Sequence, residues 1–124
     1  MAKKILVVDD EPFIIQMVTS RLNASGYETV TGEDGQDGLQ KARTEKPDLI
    51  ILDVMMPKMD GFQVCATLKQ DTRFQNIPII LFTAKYGDEA NQIGMQDCGA
   101  DAFMSKPFEA KILLEKIEEL LKGK

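Results

Sequence analysis

Three short runs without a polar residue, Ile5 to Val8, Leu49 to Leu52 and Ile79 to Phe82, constrain this chain more than any other feature. Each is too short and too β-branched for a buried helix, and each stops at a polar residue. A strand that does not alternate apolar with polar has both faces covered, as in a parallel sheet sandwiched between helices. Two weaker strands fit around these: Tyr27 to Thr31 alternates, and Ala102 to Met104 is brief.

The segments between the runs carry helical spacing. Ile14, Ile15, Val18 and Leu22 form one stripe, and Gly26 comes after it as a stop. Leu39 and Ala42 mark a thin second helix ending before Pro47. Phe62, Cys65 and Leu68 come after the Asp60-Gly61 turn. Ile93 and Met95 sit in a weakly apolar fourth helix ending near Gly99, and Leu113, Ile117, Leu120 and Leu121 make the clearest stripe, in a fifth. The order is β-α five times over, which implies an α/β fold with helices on both faces of a parallel sheet and right-handed crossovers. With 124 residues and no linker, repeat or low-complexity segment, residues 1–124 read as one domain.

There is no histidine. That removes Ser-His-Asp and Cys-His nucleophilic sites and the HExxH zinc site, and the chain cannot carry a phosphoryl group on an imidazole of its own. Lys+Arg 15 against Asp+Glu 20 gives a net charge of −5. This argues against nucleic acid as the main ligand, since phosphate binding needs a basic footprint, and leaves cations and metal ions open. Cys65 and Cys98 match no metal-ligand spacing and read as reduced, semi-buried side chains of a cytosolic protein. No apolar run approaches the ~18 residues of a membrane span, and Met1-Ala2-Lys3-Lys4 does not open a signal peptide. A cytoplasmic location without membrane insertion is the expectation.

The chemistry lies at the C-terminal end of each strand. The first ends in Asp9-Asp10-Glu11, the third in Asp53, the fourth in Thr83-Ala84, and the fifth leads into Ser105-Lys106-Pro107. In a parallel sheet these ends share one edge, where open α/β sheets bind ligands. Taken singly, Asp10 or Asp53 suits a helix N-cap, Thr83 a turn and Lys106 a solvated surface; their conjunction on one edge suits chemistry. Crowded carboxylates at ~4 Å repel by about 4 kcal/mol per pair at an effective dielectric near 20. A hard cation with oxygen ligands offsets this, and Mg²⁺ suits a few carboxylates plus water and a phosphate oxygen. A carboxylate can then act as nucleophile to form an aspartyl phosphate, with Mg²⁺ and Lys106 neutralising the phosphoryl oxygens and Thr83 donating to one of them. Gly32, Gly35 and Gly38 match neither a dinucleotide fingerprint nor a calcium loop and read as a polar loop and helix start. The Met55-Met56-Pro57-Lys58-Met59 run reads as a loop.

The stretches K-K-I-L-V-V-D-D-E-P, D-L-I-I-L-D-V-M-M-P-K-M-D-G, I-P-I-I-L-F-T-A-K and G-A-D-A-F-M-S-K-P-F together resemble the receiver domains of bacterial two-component response regulators, over essentially the whole chain. The resemblance implies a doubly wound, flavodoxin-like (βα)5 three-layer sandwich with strand order 2-1-3-4-5. It implies Asp53 as phosphoacceptor and Asp9 and Asp10 as the acidic pair for Mg²⁺, Asp10 the more direct ligand, with Asp53 and the backbone carbonyl of Met55 completing the protein's share. It implies Thr83 as switch hydroxyl, Lys106 as the phosphoryl-pairing lysine, and a cis peptide before Pro107. Phe103 matches the aromatic switch position, where the family often has tyrosine; phenylalanine keeps the rotamer change and loses the hydroxyl. Glu11 is read as facing outward or supporting the pair from behind. The implied mechanism is a switch: a histidine kinase or histidine phosphotransfer protein donates phosphoryl to Asp53, Thr83 and Lys106 move inward, and Phe103 turns into the vacated space. This alters the face made by the fourth helix, fifth strand and fifth helix, which a downstream target protein or effector domain reads.

Two other readings are set against this one. A haloacid-dehalogenase-type phosphatase also uses a strand-end aspartate and Mg²⁺, but needs an acid two residues on, where this chain has Met55. A degenerate receiver serving only as an interaction module predicts a broken acidic pair or a lost lysine, and neither is lost. The expected protein is therefore a switch rather than an enzyme, a monomer or phosphorylation-dependent dimer. Because Gly123-Lys124 looks terminal, a single-domain regulator is favoured over a receiver cut from a longer chain.

Overall fold

The computed structural model describes residues 2–56, 59–83, 98–105 and 109–122. Five strands are present: β1 (Lys4–Val8), β2 (Glu28–Gly32), β3 (Leu49–Asp53), β4 (Ile79–Thr83) and β5 (Ala102–Ser105). Four helices are described: α1 (Pro12–Ala24), α2 (Gly35–Glu45), α3 (Gly61–Lys69) and the C-terminal α4 (Ala110–Lys122). The strands form one parallel sheet in the order β2-β1-β3-β4-β5, as the resemblance implied. The helix expected around Ile93 and Met95 falls outside the described residues.

Strand periodicity divides the core into two layers. Leu6 and Val8 of β1, Ile50 and Leu52 of β3, and Ile79 and Leu81 of β4 pack with Leu39 and Ala42 of α2 and Val64, Cys65 and Leu68 of α3. The alternate residues, Ile5 and Val7, Leu49 and Ile51, Ile80 and Phe82, pack with Val18 and Leu22 of α1 and Leu113 and Ile117 of α4. Successive side chains of a strand point to opposite faces, so unbroken apolar runs fill both layers at once. β2 stands at the edge and is only partly covered, which is why its sequence alternates.

The helix ends obey local chemistry. Asp60 accepts the Gln63 N–H (2.9 Å) and the Gln63 side chain accepts the Asp60 N–H (3.0 Å), a reciprocal cap that starts α3. At the other end of α3, Lys69 Nζ donates to the carbonyls of Gln75 (3.1 Å) and Ile77 (2.8 Å) and to Asp101 Oδ2 (2.8 Å), while Asp101 Oδ2 also accepts the Ile79 N–H (2.8 Å). One ammonium thus ties α3 to the entries of β4 and β5.

In the turn after α3, Asp71 accepts from Arg73 Nε (3.1 Å), Nη2 (2.8 Å) and the backbone N–H (3.0 Å). The Arg73 side-chain bonds, then its N–H, then the charges of Arg73 and Arg43, hold the Asp71 carboxyl down at about 2. A carboxyl lowered in the native state contributes stability above its unfolded value and loses that contribution as pH falls through about 2. Carboxyl-carbon NMR should show Asp71 titrating near that value, and Arg73→Gln should return it towards the ordinary aspartate range near 3.9.

The glycine trio does more than open a helix. A Cβ on Gly38 would lie 2.7 Å and 2.8 Å from the two Val8 methyls, and a Cβ on Gly32 would stand 3.0 Å from Gly38 Cα. α2 therefore lies on β1 and the end of β2 at a distance only hydrogen side chains permit. Gly38→Val should cost about 1–3 kcal/mol by overpacking, read as a lower urea midpoint at unchanged slope; a midpoint equal to that of the parent would mean that α2 can lift off β1 freely.

Candidate phosphoacceptor site

The site is built at the C-terminal ends of β1 and β3, the point where the strand order reverses. After Val8 the backbone continues one step in register, Asp9 N–H donating to the Gly32 carbonyl (3.2 Å). The chain then turns on Asp9 itself, whose Oδ1 accepts the Glu11 N–H (2.9 Å). Glu11 takes the N-cap position of α1 in an extended conformation, with no side-chain cap bond, and Pro12 opens the helix. Asp10 is therefore not a helix cap, and Asp53, inside β3, is not one either.

Asp9 is 2% and Asp53 4% exposed, the two carboxylates that are buried among the described residues, while Asp10 and Glu11 are exposed. One carboxylate oxygen from each of Asp9, Asp10, Glu11 and Asp53 lies within 4.8 Å of all the others. Four hard oxygen donors at this spacing, two of them screened from water, fit a small divalent cation that keeps some of its own waters. Glu11, read as facing outward or supporting the pair from behind, is exposed and brings one carboxylate oxygen into the group.

Gly61 holds the other side. A Cβ there would collide with the Asp53 carbonyl oxygen and lie 3.0 Å from Val54 Cα, and the Gly61 N–H donates to the Val54 carbonyl (3.0 Å). The start of α3 is thus seated on the backbone that carries Asp53. In sequence this residue reads only as part of a turn; its signal is the Asp-Gly pair that closes the loop after β3. Gly61→Val should push the loop off Asp53 and slow phosphoryl uptake by about tenfold or more, since misplacement of a reacting group by ~1 Å costs up to 100-fold; uptake at the parent rate would show the contact to be slack.

The remaining expected residues are placed in part. β4 and β5 align Thr83 with Ser105, and β3 and β4 align Asp53 with Phe82. The Thr83 backbone thus ends β4 one strand away from Asp53; its hydroxyl, Ala84, Lys106 and Pro107 lie outside the described residues. Met55 is 71% exposed in the loop after β3. Phe103 is half-buried and packs against the α2–α3 layer, opposite Leu81 in register. Cys65 and Cys98 form no disulfide and are buried rather than semi-buried, with Cys65 Sγ donating to the Cys98 carbonyl (3.5 Å). The Cys98 thiol and burial push the Cys65 thiol far up, so it stays protonated and takes no part in the chemistry.

Residues 5–118 match the family model described as response regulator receiver domain. The chain belongs to that family. The receiver is 44% identical over 122 residues to the alkaline phosphatase synthesis transcriptional regulatory protein PhoP of Bacillus subtilis, covering 98% of this chain and 50% of that protein. It is 40% identical over 124 residues to the response regulator PleD of Caulobacter vibrioides, covering 100% of this chain and 27% of that one. It superposes with a TM-score of 0.92 on the receiver domain of a signal transduction histidine kinase from Syntrophus aciditrophicus, at 35% identity and covering 98% and 92% of the two chains. A chemotaxis response regulator of Vibrio cholerae gives 0.90 at 34% identity, covering 97% and 99%. The chain spans about half the length, or less, of the curated relatives it matches. It is the receiver domain of a response regulator in two-component signalling. Among the described residues no helix is long and apolar enough to cross a membrane.

Proposed function

We propose that this receiver is a phosphorylation-driven switch in which Asp53 accepts a phosphoryl group from a phosphohistidine on a histidine kinase or histidine phosphotransfer protein. The observation that supports this reading is a nearly buried Asp53 whose carboxylate lies within 4.8 Å of three others at the switch point of the sheet. Asp9, Asp10, Asp53 and the Met55 carbonyl would hold Mg²⁺, which supplies charge neutralisation for the phosphoryl oxygens. An Asp53 carboxylate oxygen forms the new bond to phosphorus as the bond to the donor nitrogen breaks, and the donor imidazole leaves with that electron pair. Thr83 donates to one phosphoryl oxygen and Lys106 pairs with another. Phe103, in β5 against the α2–α3 layer, turns into the space that Thr83 leaves.

The chain catalyses only its own phosphorylation and slow dephosphorylation. Its output is a changed surface at the segment before β5, at β5 and at α4, read by a downstream effector in the cytoplasm. Relatives named as transcriptional regulators point to effector control, while a chain of net charge −5 is not itself the nucleic-acid contact.

The test is direct. The protein incubated with a small acyl phosphate and Mg²⁺ should gain the mass of one phosphoryl group, and chelation should abolish the gain. Uptake that is indifferent to chelator would remove the metal from the proposal, and no uptake at all would leave an interaction module.

A further inference from the structure

A small cationic rim stands at the end of the sheet opposite the acidic site. Away from the acidic site, where the chain enters β3 and β4, the end of α2 faces the turn after α3 across a cavity of about 380 Å³ lined by Arg43, Lys46, Pro47, Arg73, Phe74 and Ile77. Its floor is apolar, with Pro47, Phe74 and Ile77 buried. Its rim is cationic.

The neighbouring carboxylates already have partners: Asp71 holds Arg73, Glu45 accepts from Lys4 Nζ (3.2 Å), and Asp48 accepts the Lys4 N–H (2.8 Å). Arg73 is fixed by Asp71 with its guanidinium 5.0 Å from the centre of the Phe74 ring. Among the described residues the side chains of Arg43 and Lys46 enter no hydrogen bond or ion pair, and the charge of Arg43 acts on Asp71 only from a distance.

Lys46 adds a second, independent observation. It is the one non-glycine with positive φ among the described residues, at φ 47°, ψ 61°, where it ends α2. Glycine is the least costly residue in that left-handed position. A lysine there accepts strain and keeps a cation on the rim, and strain of this kind is a pointer to function.

We propose that this pocket docks a carboxylate-rich segment of a protein partner, an aliphatic side chain resting on Pro47, Phe74 and Ile77 while flanking carboxylates meet Arg43 and Lys46. A free phosphate is served by converging backbone N–H groups, whereas this site offers separated cations around an apolar floor. The docking is independent of phosphorylation, so it stands or falls apart from the role of Asp53.

The experiment is an NMR titration of the unphosphorylated, ¹⁵N-labelled protein with a capped peptide of one leucine flanked by glutamates. Saturable shifts are expected at Arg43, Lys46 and Arg73 to Ile77. The same peptide with glutamines should not saturate. Lys46→Gly relieves the left-handed strain, so it should melt no lower than the parent yet bind about threefold to fivefold more weakly. The proposal is overturned if the glutamine peptide binds as well, if Lys46→Gly leaves affinity unchanged, if inorganic phosphate alone gives the same shifts at the same concentration, or if no saturable shift appears.

Discussion

Asp53→Asn should abolish phosphoryl uptake and at the same time raise the melting temperature of the metal-free protein. The two effects have separate causes. Asparagine keeps the size and a carbonyl acceptor but lacks the nucleophilic carboxylate, so no acyl phosphate can form. In the metal-free fold the Asp53 carboxylate shares a space 4.8 Å across with those of Asp9, Asp10 and Glu11. At such spacing each pair repels by about 3 kcal/mol at an effective dielectric near 20. The unfolded chain holds Asp53 far from the other three, so removing one charge relieves mainly the native state. A net gain of about 1 kcal/mol is a conservative expectation after existing hydrogen bonds are kept.

Mg²⁺ should reverse the order. A ligand that binds only the native state stabilises by RT ln(1 + [L]/Kd), and the parent, with one more carboxylate, gains more. Melting curves with chelator and with Mg²⁺, paired with intact-mass measurement after an acyl phosphate, read both effects on the same two proteins. A variant that still gains phosphoryl mass would sink Asp53 as the acceptor. Melting curves blind to Mg²⁺ in the parent would sink the cation site.

The largest stability effect should come from Phe82→Ala. Phe82 is 1% exposed, lies opposite Asp53 in the β3–β4 register and opposite Met104 in the β4–β5 register, and fills the layer under α1 and α4. Removing a buried phenyl costs about 3–5 kcal/mol, the lost transfer energy plus the cavity. Against a total near 5–15 kcal/mol, a fall in melting temperature on the order of 10 °C is expected. Its carbonyl accepts the Val54 N–H at 2.8 Å, so the cavity opens beside the strand that carries Asp53, and phosphoryl uptake should slow as well. A loss below about 1 kcal/mol by urea denaturation would mean that α1 and α4 close over the gap.

Strand identity is legible in the sequence because burial on both faces leaves no polar residue in the run: Ile5 to Val8, Leu49 to Leu52 and Ile79 to Phe82 all lie in the described strands. Helix positions are legible within a residue or two where a stripe meets a stop, as at Leu22 and Gly26, and the stripe Leu113, Ile117, Leu120 and Leu121 lies wholly within α4. β2 lies one residue later than its pattern predicts, Glu28–Gly32 against Tyr27 to Thr31. As an edge strand it is fixed by pairing with Lys4 to Val8 more than by its own pattern.

The carboxylates are legible as a set because strand ends of a parallel sheet share an edge. Two things are not. The distance of Glu11 from the others is not in the pattern: it is exposed, as read, and the turn that Asp9 makes with the Glu11 N–H leaves one of its oxygens within 4.8 Å of the other three. Gly38 and Gly61 read as loop and turn residues, yet each is a contact surface, one for Val8 and one for the Asp53 carbonyl. A missing side chain leaves no trace in hydrophobic periodicity.

The sequence alone determined the layers, the edge on which the acidic residues gather, and, through the absent histidine, that no phosphohistidine can lie within these 124 residues. These derive from short-range rules: period two in strands, period 3.6 in helices, and the fixed reactivity of each residue type. Tertiary structure decided the spacing of the four carboxylates and the close seating of α2 and α3. Those depend on atoms far apart in sequence meeting across packed elements, where a contact of a few ångströms settles what a residue can do.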